Sequence, residues 1–370
     1  MDSKVFADVE DELGVLLSAI DRAQLQPLWT QKAALLTPEP AVAAVPWLWP
    51  AGELHRLAAE AGRLVGIDRG GDRRVLAMAN PGLGGLPYTT RTLWGGVQFL
   101  GPHEQAPAHR HTPGAIRFVL EGSGVWTLVN GDPCSMSAGD LVLTPSWNWH
   151  EHRNERDTPM LWFDGLDLPM VEFLDAVFFE NGPDGAADYQ PAPRSASEAV
   201  FGHPGMRPDD VTAGPDHSPL LAYRWADTDA TLTALRDRDR DAASVSMTFV
   251  DPRTGADALP TVRCSMTRLA AGRRTFTTRR VGSSIIVCFR GSGRTVVDGR
   301  AYDWQAGDII AIPSWRAVDH EAATDSDLFV FADAPVIEAL RLHRSEVLPP
   351  QEVRDRFEPA RADKTIDGTR

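Results

Sequence analysis

Apolar and polar residues alternate over short stretches of the chain, and turn residues separate these stretches. Arg117–Gly122 and Val125–Asp132 show the pattern and predict two strands. Asn130-Gly131, inside the second stretch, is a turn pair of the kind that closes β-hairpins. We therefore predict that this part of the chain is built from antiparallel strands.

Helical spacing occurs near the two ends of the chain. Leucine and isoleucine recur three and four residues apart at Leu13, Leu16, Leu17 and Ile20. This spacing predicts an amphipathic helix that opens the chain. Asp333-Ala334-Pro335 predicts the start of a short helix running to Leu342, because proline is favoured in a first helical turn.

The stranded part of the sequence occurs twice. The matching elements are Gly122-Ser123-Gly124 with Gly291-Ser292-Gly293, Asn130-Gly131 with Asp298-Gly299, Ala138-Gly139-Asp140 with Ala306-Gly307-Asp308, and Pro145-Ser146-Trp147 with Pro313-Ser314-Trp315. The offset is 169 residues before the Asn-Gly turn and 168 after it, so the second copy has lost one residue. A repeat of this length indicates a duplicated domain, since solenoid repeats are much shorter.

These patterns predict a mainly β protein with two jelly-roll barrels. We expect a helical N-terminal arm over residues 1–60 and a first barrel over residues 61–180. A connector over residues 181–241, rich in proline, glycine and aspartate, would lead to the second barrel over residues 242–335. Residues 336–370 would form a short C-terminal helix and a charged tail.

Four of the ten histidines lie in two short segments of the first copy, 109–111 and 150–152. In a strand, His109 and His111 point to the same face. His150, from the returning strand, would complete a site with three imidazole ligands. Such a site leaves coordination positions open, as a catalytic metal requires. The same ligands also suit zinc, copper and nickel, so the pattern alone does not select the metal.

The second copy has lost these residues. Thr278 and Arg280 stand at the positions of His109 and His111. Val318 replaces His150, and only His152 has a counterpart, His320. We therefore expect one metal ion per chain, held by the first copy.

Composition narrows the class of protein. The formal net charge of the 370 residues is −14, which argues against a nucleic-acid surface. The N-terminus lacks the basic and apolar regions of a signal peptide, and no apolar run could span a bilayer, so we expect no membrane association. Three scattered cysteines suit a reducing cytoplasm.

Several segments carry a family resemblance. Gly139–Asn154 resembles the second cupin motif, with Trp147 in place of its second glycine, and Gly101 with His109–His111 resembles the first. The glutamate that normally follows in the first motif is missing. Further segments resemble the gentisate and salicylate 1,2-dioxygenase family, namely Pro27–Thr30, Asn80–Gly85, Leu93–Pro102, Ala106–His111, Arg117–Gly122, Asp140–Trp147 and Asp164–Asp167.

The resemblance implies a homotetrameric bicupin with one Fe(II) per active site. It also implies that the enzyme uses O2 to cleave a small aromatic acid, between the carboxyl-bearing ring carbon and its hydroxylated neighbour. Gentisate is our first choice of substrate, and salicylate or a nitro-, chloro- or naphthoate analogue is the alternative. A non-enzymatic metal-binding or storage bicupin, and a cupin isomerase or flavonol-type dioxygenase, are the competing classes.

Two arginines are candidate anchors for the substrate carboxylate. Arg117 shares strand parity with His111 and can face the barrel interior, although an internal salt bridge would satisfy it equally well. Arg73 matches the second carboxylate-binding arginine of the family. Its neighbour Arg74 is the alternative, and both could instead be surface residues.

Other candidates surround the metal. His152 could accept the phenol proton or steady bound oxygen, with a pKa near neutrality, although its survival as His320 also fits a structural role. Asp164 could orient a histidine. A further strand would present Trp94, Gly96 and Gln98 on one face, which the family uses against the aromatic ring; ordinary barrel filling is the alternative.

Overall fold

The structure, a computed structural model, describes residues 3–66, 74–182, 192, 194–206, 208–209 and 216–357. It divides into two compact units, Met1–Val42 and Ala43–Arg370. The first unit contains helices α1 (Ser3–Arg22) and α2 (Leu28–Leu35). α1 confirms the predicted opening helix. No helix in the described ranges is long and apolar enough to cross a membrane.

Antiparallel strands dominate the second unit. Those from the first half are β1 (Trp47–Trp49), β2 (Val75–Ala77), β3 (Trp94–Leu100), β4 (Gln105–His111), β5 (Ala115–Glu121), β6 (Ser123–Val129), β7 (Asp132–Ser137), β8 (Leu141–Thr144), β9 (His150–Asn154), β10 (Met160–Leu166), β11 (Phe179–Asn181) and β12 (Ala222–Tyr223). The remaining strands are β13 (Ser244–Thr248), β14 (Arg263–Leu269), β15 (Thr278–Arg280), β16 (Ser284–Arg290), β17 (Ser292–Val297), β18 (Arg300–Gln305), β19 (Ile309–Ile312), β20 (Val318–Ala322), β21 (Ser326–Ala332) and β22 (Ser345–Val347).

Each barrel consists of two facing sheets. In the first barrel the strand orders are β12-β8-β5-β10-β3-β2 and β11-β4-β9-β6-β7. In the second they are β1-β19-β16-β21-β14-β13 and β18-β17-β20-β15-β22. The same order of equivalent strands confirms the two jelly-roll barrels predicted from the repeat.

The lost residue of the second copy is visible in the strand pairing. β6 and β7 shift register between Ser123 and Val125, which leaves one extra residue in β6. The equivalent strands β17 and β18 pair without a shift from Ser292 onward. The change of offset in the sequence therefore corresponds to a bulge that only the first barrel has.

Helices complete the unit, and each barrel supplies a carboxylate to the N-terminus of one of them. They are α3 (Ala51–Leu64), α4 (Leu168–Phe173), α5 (Ala196–Phe201), α6 (Trp225–Arg238), α7 (Ala334–Ala339) and α8 (Pro350–Phe357), with a 3-10 turn at Pro81–Leu83. Asp308 of the second barrel accepts a hydrogen bond from the Ala51 backbone at the start of α3, 2.7 Å away. Asp140 of the first barrel accepts one from Trp225 at the start of α6, 2.8 Å away. A carboxylate at a helix N-terminus satisfies an otherwise unpaired N–H group.

The barrels also share a core. Phe118 and Phe329 are fully buried, and their rings stack with centroids 4.1 Å apart. Phe163 and Phe331 pack edge to face beside them. Burial of each such ring contributes about 1.5–3 kcal/mol. The two copies therefore form one hydrophobic core and stabilise each other.

Some predicted boundaries differ from the observed elements. α7 begins at the predicted place but ends at Ala339, because Arg341 takes a positive φ of 58°. The predicted arm boundary at residue 60 falls inside α3. The limits predicted for the two barrels, the connector and the C-terminal segment stay predictions.

Candidate metal centre and adjoining cavity

Three histidines converge inside the first barrel. His109 on β4 pairs directly with His150 on β9, and His111 lies two residues further along the same face of β4. One ring nitrogen from each of His109, His111 and His150 lies within 4.8 Å of the other two. This is the one group of three metal-ligating side chains found among the described residues, at the position that strand parity predicts.

Backbone carbonyls orient all three rings. The Nδ1 atoms of His109, His111 and His150 lie 3.0, 2.7 and 2.9 Å from the carbonyl oxygens of Pro107, Pro113 and Asn148. A carbonyl oxygen only accepts, so each Nδ1 carries the proton and each Nε2 holds a lone pair. The Nε2 atom of His150 is buried and has no hydrogen-bond partner among the residues that the structure describes. Three lone pairs, one of them buried and unpaired, match the requirement of a divalent metal ion.

Burial keeps His150 neutral. Desolvation lowers the pKa of His150 well below its ordinary value, and the nearby charge of Arg117 acts in the same direction. A metal ligand must be the neutral imidazole, since an imidazolium has no lone pair to offer. The environment therefore favours the ligating form.

A strained turn at Trp147 precedes β9 and positions His150 in the site. Trp147 takes a positive φ of 60°, the conformation for which glycine is favoured, and its N–H donates to the His111 carbonyl at 2.8 Å. The Arg110 guanidinium lies over Trp147 and Trp149, 4.4 and 4.5 Å from their rings. These cation–π contacts offset the strain and join β4 to the turn before β9.

A cavity of about 240 Å³ adjoins the histidines. It is lined by Val75, Trp94, Gln98, Ala106, His109, His111, Pro113, Arg117, His152, Asp164, Leu166, Leu168, Val177 and Phe179. Most of these side chains are apolar. The polar ones come from both facing sheets, with Gln98, Arg117 and Asp164 on one sheet and the histidines on the other. The cavity is of the size and character that holds a small aromatic acid.

Arg117 is buried in this cavity wall between two partners. Its Nε lies 3.2 Å from Asp164 Oδ1, and its Nη1 donates to Thr144 Oγ1. The internal ion pair that we considered as the alternative is therefore present, while the side chain also lines the cavity. Whether it anchors a substrate stays a prediction.

Asp164 contacts other partners than the histidine that we expected. We expected this carboxylate to orient a histidine, but Oδ1 accepts from Trp162 Nε1 at 3.0 Å and pairs with Arg117. The reason is the strand register, which sets Asp164 of β10 directly opposite Arg117 of β5. Asp164 therefore positions the guanidinium.

His152 lies in the cavity wall, outside the group of three ligands. Its Nδ1 is 2.8 Å from Thr127 Oγ1, and the Thr127 hydroxyl donates to Met136 Sδ at 2.9 Å. When the hydroxyl proton goes to sulfur, the Thr127 oxygen accepts from Nδ1, and Nε2 is the proton-free nitrogen. Burial lowers the pKa of His152 well below its ordinary value. The expected pKa near neutrality is therefore wrong, and the ring is neutral.

The remaining candidates are placed as follows. Arg73 lies outside the described residues. Arg74 is buried away from the cavity, where it pairs with Glu104 and donates to the carbonyls at the end of α3. Trp94 and Gln98 line the cavity, as their shared strand face predicts. Gly96 lies beneath the Trp94 ring, where an added Cβ would be 2.7 Å from Trp94 Cη2.

Sequence reasoning missed some site residues. Phe179 of β11 lines the cavity, and its ring stacks on His109 with centroids 5.6 Å apart. Nothing in the local pattern marks it, because it comes from a separate edge strand. Thr127 could have been found, since its counterpart Thr295 survives beside His320 in the second barrel.

The fold and site define a bicupin protein with a three-histidine site in its first barrel. A profile of the cupin domain matches residues 96–166. Gentisate 1,2-dioxygenase of a Streptomyces species is 47% identical over 349 residues, which cover 92% of this chain and 94% of that protein. 5-aminosalicylate 1,2-dioxygenase of a Comamonas species is 32% identical, covering 91% of each.

Solved structures agree. Salicylate 1,2-dioxygenase from Pseudoaminobacter salicylatoxidans, in its adduct with gentisate, superposes with a TM-score of 0.88 at 44% identity, covering 91% of this chain and 94% of that one. The chain therefore belongs to the gentisate and salicylate 1,2-dioxygenase family and is a ring-cleaving dioxygenase.

Proposed function

We propose that the protein holds Fe(II) on His109, His111 and His150 and cleaves a 2-hydroxybenzoate with O2. The bond cleaved joins the carboxyl-bearing carbon to the hydroxylated carbon, and both oxygen atoms enter the product. Gentisate is the proposed substrate. The observation that carries the proposal is the open face of three neutral imidazoles beside a small apolar cavity that contains one buried guanidinium.

The residues fit a ferrous ion. Three neutral nitrogen donors leave both positive charges of the ion for an anionic substrate to neutralise. Imidazole ligands suit iron, and the unpaired lone pair on His150 Nε2 needs an electrophilic partner. When bound, the ion would supply a site where the two substrate oxygens and O2 meet, and through which the ring passes electrons to oxygen.

Arg117 would hold the substrate carboxylate. The guanidinium already shares its charge with Asp164 and keeps further N–H donors for the cavity. A charge-assisted hydrogen bond to a buried carboxylate contributes about 1.5–3 kcal/mol. This bond would orient the carboxyl-bearing carbon of the ring.

His152 would take the proton of the phenol group. When Nδ1 donates to Thr127, the neutral ring has a proton-free Nε2 that can take this proton. Proton removal from the hydroxyl would raise the electron density of the ring. The Thr127 oxygen would continue to accept from Nδ1 after Nε2 is protonated.

The apolar walls would orient the aromatic ring and exclude water. Trp94 and Phe179 offer flat faces on the cavity wall, and Leu166 and Leu168 close it further. Gln98 adds one neutral polar group on the strand face of Trp94. We propose that this group contacts the second ring hydroxyl that distinguishes gentisate from salicylate.

Salicylate or a substituted salicylate is the second candidate. The salicylate dioxygenase structure matches nearly all of this chain, and it is described as an adduct with gentisate. Salicylate lacks the para hydroxyl and is harder to oxidise. As the family resemblance implies, we also propose a homotetrameric assembly and a cytoplasmic location.

Oxygen consumption across a panel of aromatic acids tests the proposal. Gentisate should be consumed with one O2 per ring and without a reductant, faster than salicylate, 5-aminosalicylate and 1-hydroxy-2-naphthoate. With ¹⁸O2, mass spectrometry should find both labelled atoms in a 2,4-dioxo dicarboxylic acid. A need for NADH, or a single labelled atom, would reject the reaction, and preference for salicylate would reject only the substrate.

A further inference from the structure

The second barrel encloses a cavity of about 520 Å³, roughly twice the volume of the one beside the histidines. Three arginines, one histidine and eight hydroxyl side chains line it, and no aspartate or glutamate is among its lining residues. Aliphatic side chains, Ile286, Val318 and Leu328 among them, form the rest of the wall. A polar cavity without acidic groups favours an anion over a cation.

Arg280 occupies the place of a metal ligand in this barrel. Thr278 pairs with Val318 as His109 pairs with His150, and Arg280 lies two residues further along the strand, at the position of His111. Arg280 is exposed and lines the cavity. Desolvation by the surrounding barrel nevertheless lowers the pKa of its guanidinium.

The charge of Arg280 has no partner. Its guanidinium makes no hydrogen bond or ion pair with the residues that the structure describes. By contrast, Arg263 is paired with Asp257 and Glu338 at 2.7–2.9 Å, and Arg316 with Asp298 at 3.2 Å. Among the described residues, Arg280 is therefore the arginine of this cavity that no carboxylate contacts directly.

Nearby acids are already engaged elsewhere. Asp333 attracts Arg280 electrostatically, but its two carboxylate oxygens accept from Thr92 at 2.5 Å and from the Ser283 backbone at 2.8 Å. An internal ion pair of the kind that satisfies Arg117 is therefore not formed. The Arg280 guanidinium therefore keeps its N–H donors for a charge-assisted hydrogen bond to an anion that enters the cavity.

His320 supplies a second donor to the same space. Trp304, at the position of Met136, donates its indole N–H to Thr295 Oγ1 at 3.0 Å. The Thr295 hydroxyl can then donate to His320 Nδ1, 2.9 Å away, and this arrangement leaves the proton of the neutral ring on Nε2. With that proton, His320 offers an N–H group to an anion in the cavity.

We propose that the second barrel binds a small organic monocarboxylate, with its carboxylate on Arg280 and His320 and its carbon skeleton against the aliphatic wall. One unpaired charge fits one carboxylate, and the neutral hydroxyl groups fit further polar substituents. The site is independent of the metal centre and of the proposed ring cleavage.

Isothermal titration of the metal-loaded protein with benzoate tests this site. Wild type should bind one more benzoate per chain than Arg280→Gln, while benzyl alcohol, which lacks the charge, should not bind there. Arg294→Gln is the matched control, because Arg294 is an exposed arginine of the same barrel paired with Asp303. It should leave the number of sites unchanged.

Two further variants test benzoate binding independently of Arg280→Gln. Arg280→Lys retains the charge without the planar fork and should weaken benzoate binding about tenfold, and Val318→Phe should block it by filling the cavity. These two variants decide the question if Arg280→Gln does not fold. Equal benzoate stoichiometry in wild type, Arg280→Gln and Val318→Phe, or equal binding of benzyl alcohol, would overturn the proposal.

Discussion

Asp164 lies directly opposite Arg117 on neighbouring antiparallel strands, with 3.2 Å between Asp164 Oδ1 and Arg117 Nε. Both side chains are almost fully buried. Burial raises the pKa of Asp164 to about 6, while the Arg117 charge opposes that rise. The pair therefore holds a guanidinium in an apolar cavity where it would otherwise be costly to keep.

Arg117→Met should separate substrate binding from metal binding. We expect unchanged iron content and a loss of kcat/KM of roughly 10- to 100-fold, because one charge-assisted hydrogen bond to the carboxylate is removed. Steady-state oxygen uptake and metal analysis measure the two effects. Arg74→Met is the control, since Arg74 is an equally buried arginine of the same barrel that pairs with Glu104 outside the cavity. Unchanged kinetics in Arg117→Met would reject the anchor.

The coupling between Arg117 and Asp164 predicts a non-additive double mutant. Asp164→Leu alone should destabilise the protein by about 3 kcal/mol, because it leaves a buried charge unpaired. In the Arg117→Met background the same change should cost at least about 1 kcal/mol less. Chemical denaturation of the four proteins gives the coupling. Additive losses would show that the pair does not act as a unit.

Metal content should depend on three histidines only. Replacing His109, His111 or His150 by alanine should abolish the binding of about one iron per chain, since each supplies one lone pair to the same point. His320→Ala, in the second barrel, should retain full iron. Elemental analysis after anaerobic reconstitution measures the ratio. Two irons per chain in wild type would contradict the asymmetry between the barrels.

Thr127→Val should affect turnover more than substrate binding. The change removes the group that occupies His152 Nδ1, so the ring loses its fixed tautomer and a buried nitrogen loses its partner. We expect a lower kcat with little change in KM and unchanged iron. Thr127→Ser, which restores the hydroxyl, should recover most of the activity. Thr295→Val is the matched control in the second barrel and should leave kcat unchanged.

The buried carboxyl of Asp167 should make the free energy of unfolding depend on pH. Burial raises the pKa of this carboxyl to about 6, and within the described part of the chain its Oδ1 has no hydrogen-bond partner. Because the folded protein then binds the proton more tightly than the unfolded chain, the contribution of Asp167 to stability falls as pH rises from about 4 to 6. Asp167→Asn should therefore be more stable than wild type at pH 7.5, by up to about 3 kcal/mol.

The gain should shrink as pH falls towards 4, where Asp167 is protonated in both states. Denaturation curves at several pH values measure it. Asp209→Asn, which changes an exposed aspartate, should give no such trend. A gain that stays constant between pH 4 and 7.5 would rule out Asp167 as its source.

The sequence by itself determined the repeated barrels and the three-histidine site. Both follow from local rules, because a strand alternates its faces and an Asn-Gly pair closes a hairpin. His109 and His111 share a face for that reason, and the matching return strand brings His150 opposite His109. Comparison of the two copies also located the three-histidine site in the first barrel, since Thr278 and Val318 carry no imidazole.

Only the tertiary structure decided which distant groups meet. Asp164 pairs with Arg117 across 47 residues because of strand register, and Arg74 turns to Glu104 because α3 packs beside it. The unpaired charge of Arg280 is likewise invisible in the sequence, where acidic residues are plentiful. Pairing of buried charges depends on separations of a few ångströms between distant segments, and local patterns of residues do not specify such separations.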